Sequence, residues 1–228
     1  MPETGFPLKV EILPPAQRRL WDAGLTVPDE FVLYGGTALA LRLGHRQSVD
    51  FDFFSATPFR PAELLPRMAL AVNAVLLQSE PNTLTFRVTL PDGDVKFSFF
   101  GGIHWSPVRP AVRLPNGVAI ASLEDLYATK LAVIVQRSES KDYFDIAALI
   151  AHGMDLAWGL ACARAFYGAD FNTALPLKAL CWFGDGDLAL LPVEVRHVLT
   201  TAVQSVHSLP DITGTGGSIG QSIVPCQP

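Results

Sequence analysis

Two hydrophobic periods divide this chain. In the first half, Leu84, Phe86, Val88 and Leu90 alternate with Thr83, Thr85, Arg87 and Thr89, which predicts a half-buried strand. Pro91-Asp92-Gly93-Asp94 then makes a turn, because proline presets one dihedral and glycine accepts positive φ. Val95 to Phe100 returns as the hairpin partner, with Lys96 and Ser98 on one face. Phe31 to Tyr34 reads as a short buried strand, Thr37 to Leu43 as a helix ended by Gly44, and Ser48 to Phe54 as a second strand. Pro14 to Ala23 reads as a helix anchored by Leu20 and Trp21. A longer helix is expected over Ala62 to Leu77, with Pro61 at its first position.

From Ser122 the period becomes helical. Ser122-Leu123-Glu124-Asp125 has the pattern of a capping box. Further helices are expected over Asp142 to His152, Trp158 to Tyr167, Leu175 to Trp182 and Pro192 to Val206. The fold class expected is α+β: a small mixed sheet with flanking helices over 1–117, then a helical domain over 118–208. The Gly-, Ser- and Thr-rich stretch over 209–228 is expected to be a flexible tail.

Composition narrows the function classes. Of 228 residues, 49% are apolar and 17% charged, so a substantial core is available and the composition argues against global disorder. A formal net charge of −5 argues against nonspecific coating of nucleic acid, though not against a local basic groove. Cys162, Cys181 and Cys226 lack metal-ligand spacing and suggest a reduced, cytoplasmic setting. Met1-Pro2-Glu3-Thr4 lacks a signal-peptide pattern, and no apolar run is long enough to span a bilayer, so no membrane partner is expected. His45, His104, His152, His197 and His207 show no metal-ligand spacing, and neither a P-loop nor a Gly-x-Ser-x-Gly motif occurs.

The chemistry-bearing residues concentrate around the second predicted strand. Side chains alternate along a strand, so Asp50 and Asp52 share one face while Phe51 and Phe53 share the other. Two neighbouring carboxylates repel unless a cation lies between them. A Mg²⁺ ion would serve, and a phosphate at the Gly35-Gly36-Thr37 turn would complete a nucleotide site, since a helix N-terminus favours anions. The plainer reading of that turn is a tight bend with Thr37 as N-cap. Lys130 falls in an apolar stripe with Leu123, Leu126 and Ile134, either as a lysine reaching the rim of its helix face or as a cation directed at triphosphate. Asp145, which shares a face with Asp142, either orients Lys130 or an acceptor hydroxyl, or forms a structural ion pair.

The ordered set Gly35-Gly36-Thr37, Arg46-x-Ser48-x-Asp50-x-Asp52-Phe53-Phe54, Leu126-x-x-x-Lys130-Leu131 and Lys141-Asp142-Tyr143-x-Asp145 resembles the AbiEii/AbiGii-type nucleotidyltransferases. These are toxin halves of type IV toxin–antitoxin and abortive-infection systems, within the polymerase-β-like superfamily. The resemblance covers roughly Phe31 to Ile150. It implies that Gly35, Gly36, Thr37, Arg46 and Ser48 hold the nucleotide and that Asp50 and Asp52 bind Mg²⁺. Lys130 and Asp145 would then act as the catalytic lysine and aspartate of the helical domain. It implies transfer of a nucleoside monophosphate from an NTP to an acceptor hydroxyl, with RNA (a tRNA 3′ end among the options) or a protein as acceptor, and a cognate antitoxin as partner. Members of the wider superfamily often carry a third carboxylate on a later strand, where this chain has Ser98. Two alternatives stand beside this reading: nucleotidylation of a small molecule, and a non-catalytic nucleotide- or partner-binding protein of the same fold.

Overall fold

The computed structural model describes residues 7–71 and 74–226. It divides into two compact units. One contains the chain through Trp105, Arg109–Ser122 and the stretch from Gly217 on; the other contains Ser106–Val108 and Leu123–Gly216.

The first unit is built in the order α1 (Pro15–Ala23), β1 (Val32–Tyr34), α2 (Gly35–Leu43), β2 (Asp50–Phe54), α3 (Pro61–Leu64), β3 (Val75–Glu80), β4 (Thr83–Leu90), β5 (Gly93–Phe100), β6 (Ala111–Arg113) and β7 (Ala119–Ile120). The second unit carries α4 (Leu123–Val133), α5 (Ser140–Ala151), α6 (Leu156–Tyr167), α7 (Ala174–Ala179) and α8 (Val193–Ser205). The chain then returns to the first unit as β8 (Ile223–Pro225).

All eight strands form one mixed sheet in the order β3-β4-β5-β2-β1-β7-β6-β8. Its centre follows from the alternation in β2. Phe51 and Phe53 are fully buried, whereas Asp50, Asp52 and Phe54 on the opposite face are half-buried. Phe51 stacks on Phe97 with centroids 5.2 Å apart, and Phe53 on Phe99 at 5.1 Å. Phe86 of β4 extends this ladder, and Trp21 of α1 stacks on Phe51. Burial of such large rings supplies most of the drive for assembling this face.

In the second unit α4 packs on α5 and α6, and α8 packs on α5. Leu126, Leu131, Ile146, Leu149, Leu160 and Leu199 form its interior. Among the described residues no single helix is long and apolar enough to cross a membrane; the apolar pair α5 and α6 is bent by 116°.

Three expectations are corrected. The helix expected over 62–77 stops early: α3 is four residues long, 3-10 turns follow over 65–67 and 69–71, and Val75 already belongs to β3. Positions 72 and 73 of that expected helix lie outside the described residues, as do Met1 to Thr4. Val75 and Leu76 pair with Arg87 and Phe86 of β4, and Leu77 sits at a bulge before pairing resumes at Gln78, so the segment is held in the ladder instead of continuing a helix. The tail expected over 209–228 is not a free extension. Ile219 is buried, its carbonyl accepts from the Ala56 N–H, and β8 pairs in parallel with β6. Its composition concealed this, because the pairing rests on backbone hydrogen bonds that Gly and Ser do not forbid. Thr37 is not the N-cap of α2. Tyr34 holds that position, and the Thr37 hydroxyl, buried inside the first turn, donates to the Asp50 carbonyl.

Candidate nucleotide site

The N-terminus of α2 and the carboxylate face of β2 meet because β1 leads directly into α2 while pairing with β2. The antiparallel register sets Tyr34 opposite Asp52. The first helical residue, Gly35, therefore lies beside the Asp52 carboxylate. A Cβ on Gly35 would sit 2.7 Å from Asp52 Oδ2, and Gly35 has φ +73°. A Cβ on Gly36 would sit 2.8 Å from both Arg46 Nη2 and Ser48 Oγ. A side chain at Gly35 would be strained by its positive φ and one at Gly36 would displace Arg46 and Ser48, so the turn is more than a plain bend. It brings Asp52, Arg46 and Ser48 to the N-terminus of α2, where the helix dipole favours negative charge.

Asp50 and Asp52 share the exposed face of β2, as the alternation predicts. The parallel pairing of β2 with β5 places Lys96 beside Asp50 and Ser98 beside Asp52. The Lys96 ammonium lies 2.9 Å from Asp50 Oδ2. Ser98 is buried and occupies the sheet position neighbouring Asp52, so the face expected to carry a third acid carries a hydroxyl.

The donor set fits a hard divalent cation. Mg²⁺ is commonly held by one or two carboxylates plus the phosphates of its substrate, and two carboxylates face the same side here. No group of three or more His, Cys, Asp or Glu side chains that could hold a metal occurs among the described residues.

In the second unit, Lys130 of α4 and two aspartates of α5 form a buried ion cluster. Lys130 Nζ donates to Asp142 Oδ1 at 2.7 Å and lies 2.6 Å from Asp145 Oδ2. Arg137 Nε donates to Asp142 Oδ2 at 2.8 Å. Both aspartates are fully buried, and the lysine side chain is 7% exposed, so its ammonium does not reach solvent at the helix rim. Burial pushes the Asp142 carboxyl up, but hydrogen bonds and charge from Arg137 and Lys130 outweigh it, leaving the group below the ordinary carboxylate range. The residues singled out in the sequence therefore assemble into two clusters, one in each unit. Sequence reasoning passed over two partners. Lys96 was legible as sharing a face with Ser98, but its pairing with Asp50 required the register of two strands whose partners lie 46 positions apart. Arg137 stands five residues before Asp142, and that spacing was the one available signal.

Substitution of Gly35 tests this arrangement. Gly35→Ala places a Cβ at positive φ, which costs roughly 1–2 kcal/mol for an L-residue, and adds the contact with Asp52. The melting temperature is expected to fall by roughly 2–8 °C. A variant melting with the wild type would show that the turn is not as tight as described.

A crystal structure from H. pylori, provisionally assigned as a nucleotidyltransferase, has this fold: the TM-score is 0.50 at 22% identity, over 78% of this chain and 86% of that one. The structure of JHP933 from Helicobacter pylori is similar at a TM-score of 0.48 and 21% identity, over 78% and 84%. The uncharacterized protein aq_aa25 of Aquifex aeolicus (strain VF5) is 33% identical over 164 residues, 71% of this chain and 77% of its own length. Residues 19–203 match the family described as nucleotidyl transferase AbiEii toxin of type IV toxin–antitoxin systems. The chain belongs to that family, and membership implies a nucleotide substrate and a cognate antitoxin.

Proposed function

We propose that this chain transfers a nucleoside monophosphate from an NTP to an acceptor hydroxyl, releasing pyrophosphate, as the toxin of a type IV system in the cytoplasm. The observation that carries the reading is the convergence of the Asp50 and Asp52 face with the Gly35-Gly36 turn at the start of α2. Asp50 and Asp52 would hold Mg²⁺, which when bound neutralises charge on the phosphates. Gly35, Gly36 and Thr37 would bring backbone N–H groups to the triphosphate, with Arg46 and Ser48 as side-chain contacts beside Gly36. Lys130 and Asp145 form a buried ion pair within the second unit, and this reading does not depend on them.

Ser98 bears on the rate. A hydroxyl accepts and donates hydrogen bonds but is a poor base at neutral pH, so deprotonation of the acceptor from this position is not available. Slow turnover follows. The same observation favours a second reading, a nucleotide-binding protein of this fold that no longer catalyses transfer.

The test is incubation of the pure protein with each α-labelled NTP, Mg²⁺ and total RNA, beside a parallel reaction without RNA. Label recovered in RNA supports the toxin reading with an RNA acceptor, and label in protein makes a protein the acceptor. NTP binding without any transfer supports the second reading. Absence of NTP binding overturns both.

A further inference from the structure

The Lys96–Asp50 pair is not required by the fold. Lys96 and Asp50 are 41% and 35% exposed at their side chains, and their ions meet at 2.9 Å on the open face of the sheet. Exposed pairs of this kind add little to stability, and a lysine has ample freedom to extend into water instead. It lies directly beside one of two carboxylates offered to a cation, fixed there by the β2–β5 register. The next position on the same face of β5 is Ser98 rather than an acid. The Lys96 ammonium offsets the charge of Asp50, and the Arg46 guanidinium stands at the same turn as Asp52. Such a patch attracts a free divalent cation far less than two or three unopposed carboxylates would.

We infer that Lys96 is a positioning residue that makes metal binding conditional on nucleotide: it holds the Asp50 carboxylate in a nucleotide-free protein and releases it when a triphosphate offers the ammonium another anion. The inference rests on the nucleotide-site reading above. The ammonium 2.9 Å from the carboxylate lowers the negative potential that draws a free divalent cation to this face. A triphosphate at the start of α2 alters that balance, because it gives the lysine a stronger partner and the cation additional oxygen ligands. Metal and nucleotide then bind cooperatively, and by linkage each raises the other's affinity by the same factor. Lys96 transfers no proton in this account; its move to the triphosphate frees Asp50. Its effect is exerted through Asp50.

The experiment is titration of Mn²⁺ into the full chain, followed by electron paramagnetic resonance. It is run without nucleotide and with an equimolar mixture of the four α,β-methylene nucleoside triphosphates, which cannot be cleaved at the reacting bond. The wild type is expected to bind Mn²⁺ weakly alone and substantially tighter with nucleotide. Lys96→Met is expected to bind Mn²⁺ alone about tenfold tighter than the wild type, the scale set by removing one neighbouring charge. It should also lose most of the coupling to nucleotide. Lys96→Arg should retain the wild-type coupling, and Lys96→Gln gives the same test as methionine with a polar side chain. If the wild type binds Mn²⁺ with nucleotide while Lys96→Met and Lys96→Gln match its affinity for Mn²⁺ alone, the inference is overturned and the nucleotide site stands. If the wild type binds Mn²⁺ under neither condition, the site reading itself is overturned and the inference with it.

Discussion

Asp52→Asn is expected to reduce nucleotidyl transfer by roughly a hundredfold or more, the range seen when one charge-stabilising group is removed from a reacting centre. The substitution keeps the shape of the side chain and removes its charge. Asp52 is half-buried on the open face of β2, and its backbone partners are set by the sheet, so the fold should be retained. Circular dichroism and the melting temperature should match the wild type, while labelled transfer and Mn²⁺–nucleotide binding are lost together. A variant that transfers at the wild-type rate would remove the β2 carboxylates from the site.

Lys130→Met should act on stability. The ammonium of Lys130 bridges two fully buried carboxylates, and removing one member of a buried ion cluster typically costs about 3–5 kcal/mol, because the remaining charge is left uncompensated. Arg137 still faces Asp142, which limits the loss at that residue. The pH dependence has a definite sign. In the wild type the Asp142 carboxyl is held low, so its contribution is present above the ordinary carboxylate pKa of about 3.9 and is lost as pH falls through its lower folded-state value. Without Lys130 the buried Asp142 loses one of the two cations that oppose its desolvation, and its carboxyl shifts upward. The variant is then penalised most near neutral pH, and the gap to wild type should narrow as pH is lowered toward about 4. Urea unfolding at pH 7 and pH 4.5 measures this. A gap that is small at pH 7, or that widens on acidification, would show that the cluster is not the buried ionic lock described here.

The two halves of the chain differ in how much their sequences reveal. The β4–β5 hairpin, β2 and the helices from α4 to α8 were legible because period-two and period-3.6 patterns report burial on one face, and burial is what these elements share. β3 was misread because Val75-Leu76-Leu77 is exposed on every side chain and carries no alternation. Its strand state comes from pairing with β4 alone. β6, β7 and β8 are two or three residues long, too short for any period to show.

The site divides in the same way. Sequence by itself determined that Asp50 and Asp52 share a face, that two glycines stand at the start of a helix, that Lys130 falls in an apolar helical stripe, and that Asp142 and Asp145 share a helix face. These are local properties fixed by backbone geometry. Only the tertiary structure decided which side chains oppose them. The β1–β2 register set Asp52 against Gly35, the β2–β5 register set Lys96 beside Asp50 and Ser98 beside Asp52, and the packing of α4 on α5 closed Lys130 onto two carboxylates. Register depends on the whole sheet finding one arrangement that buries its phenylalanines, and a slip of one residue would reverse every face. That information is distributed over the core, and no motif around the carboxylates contains it.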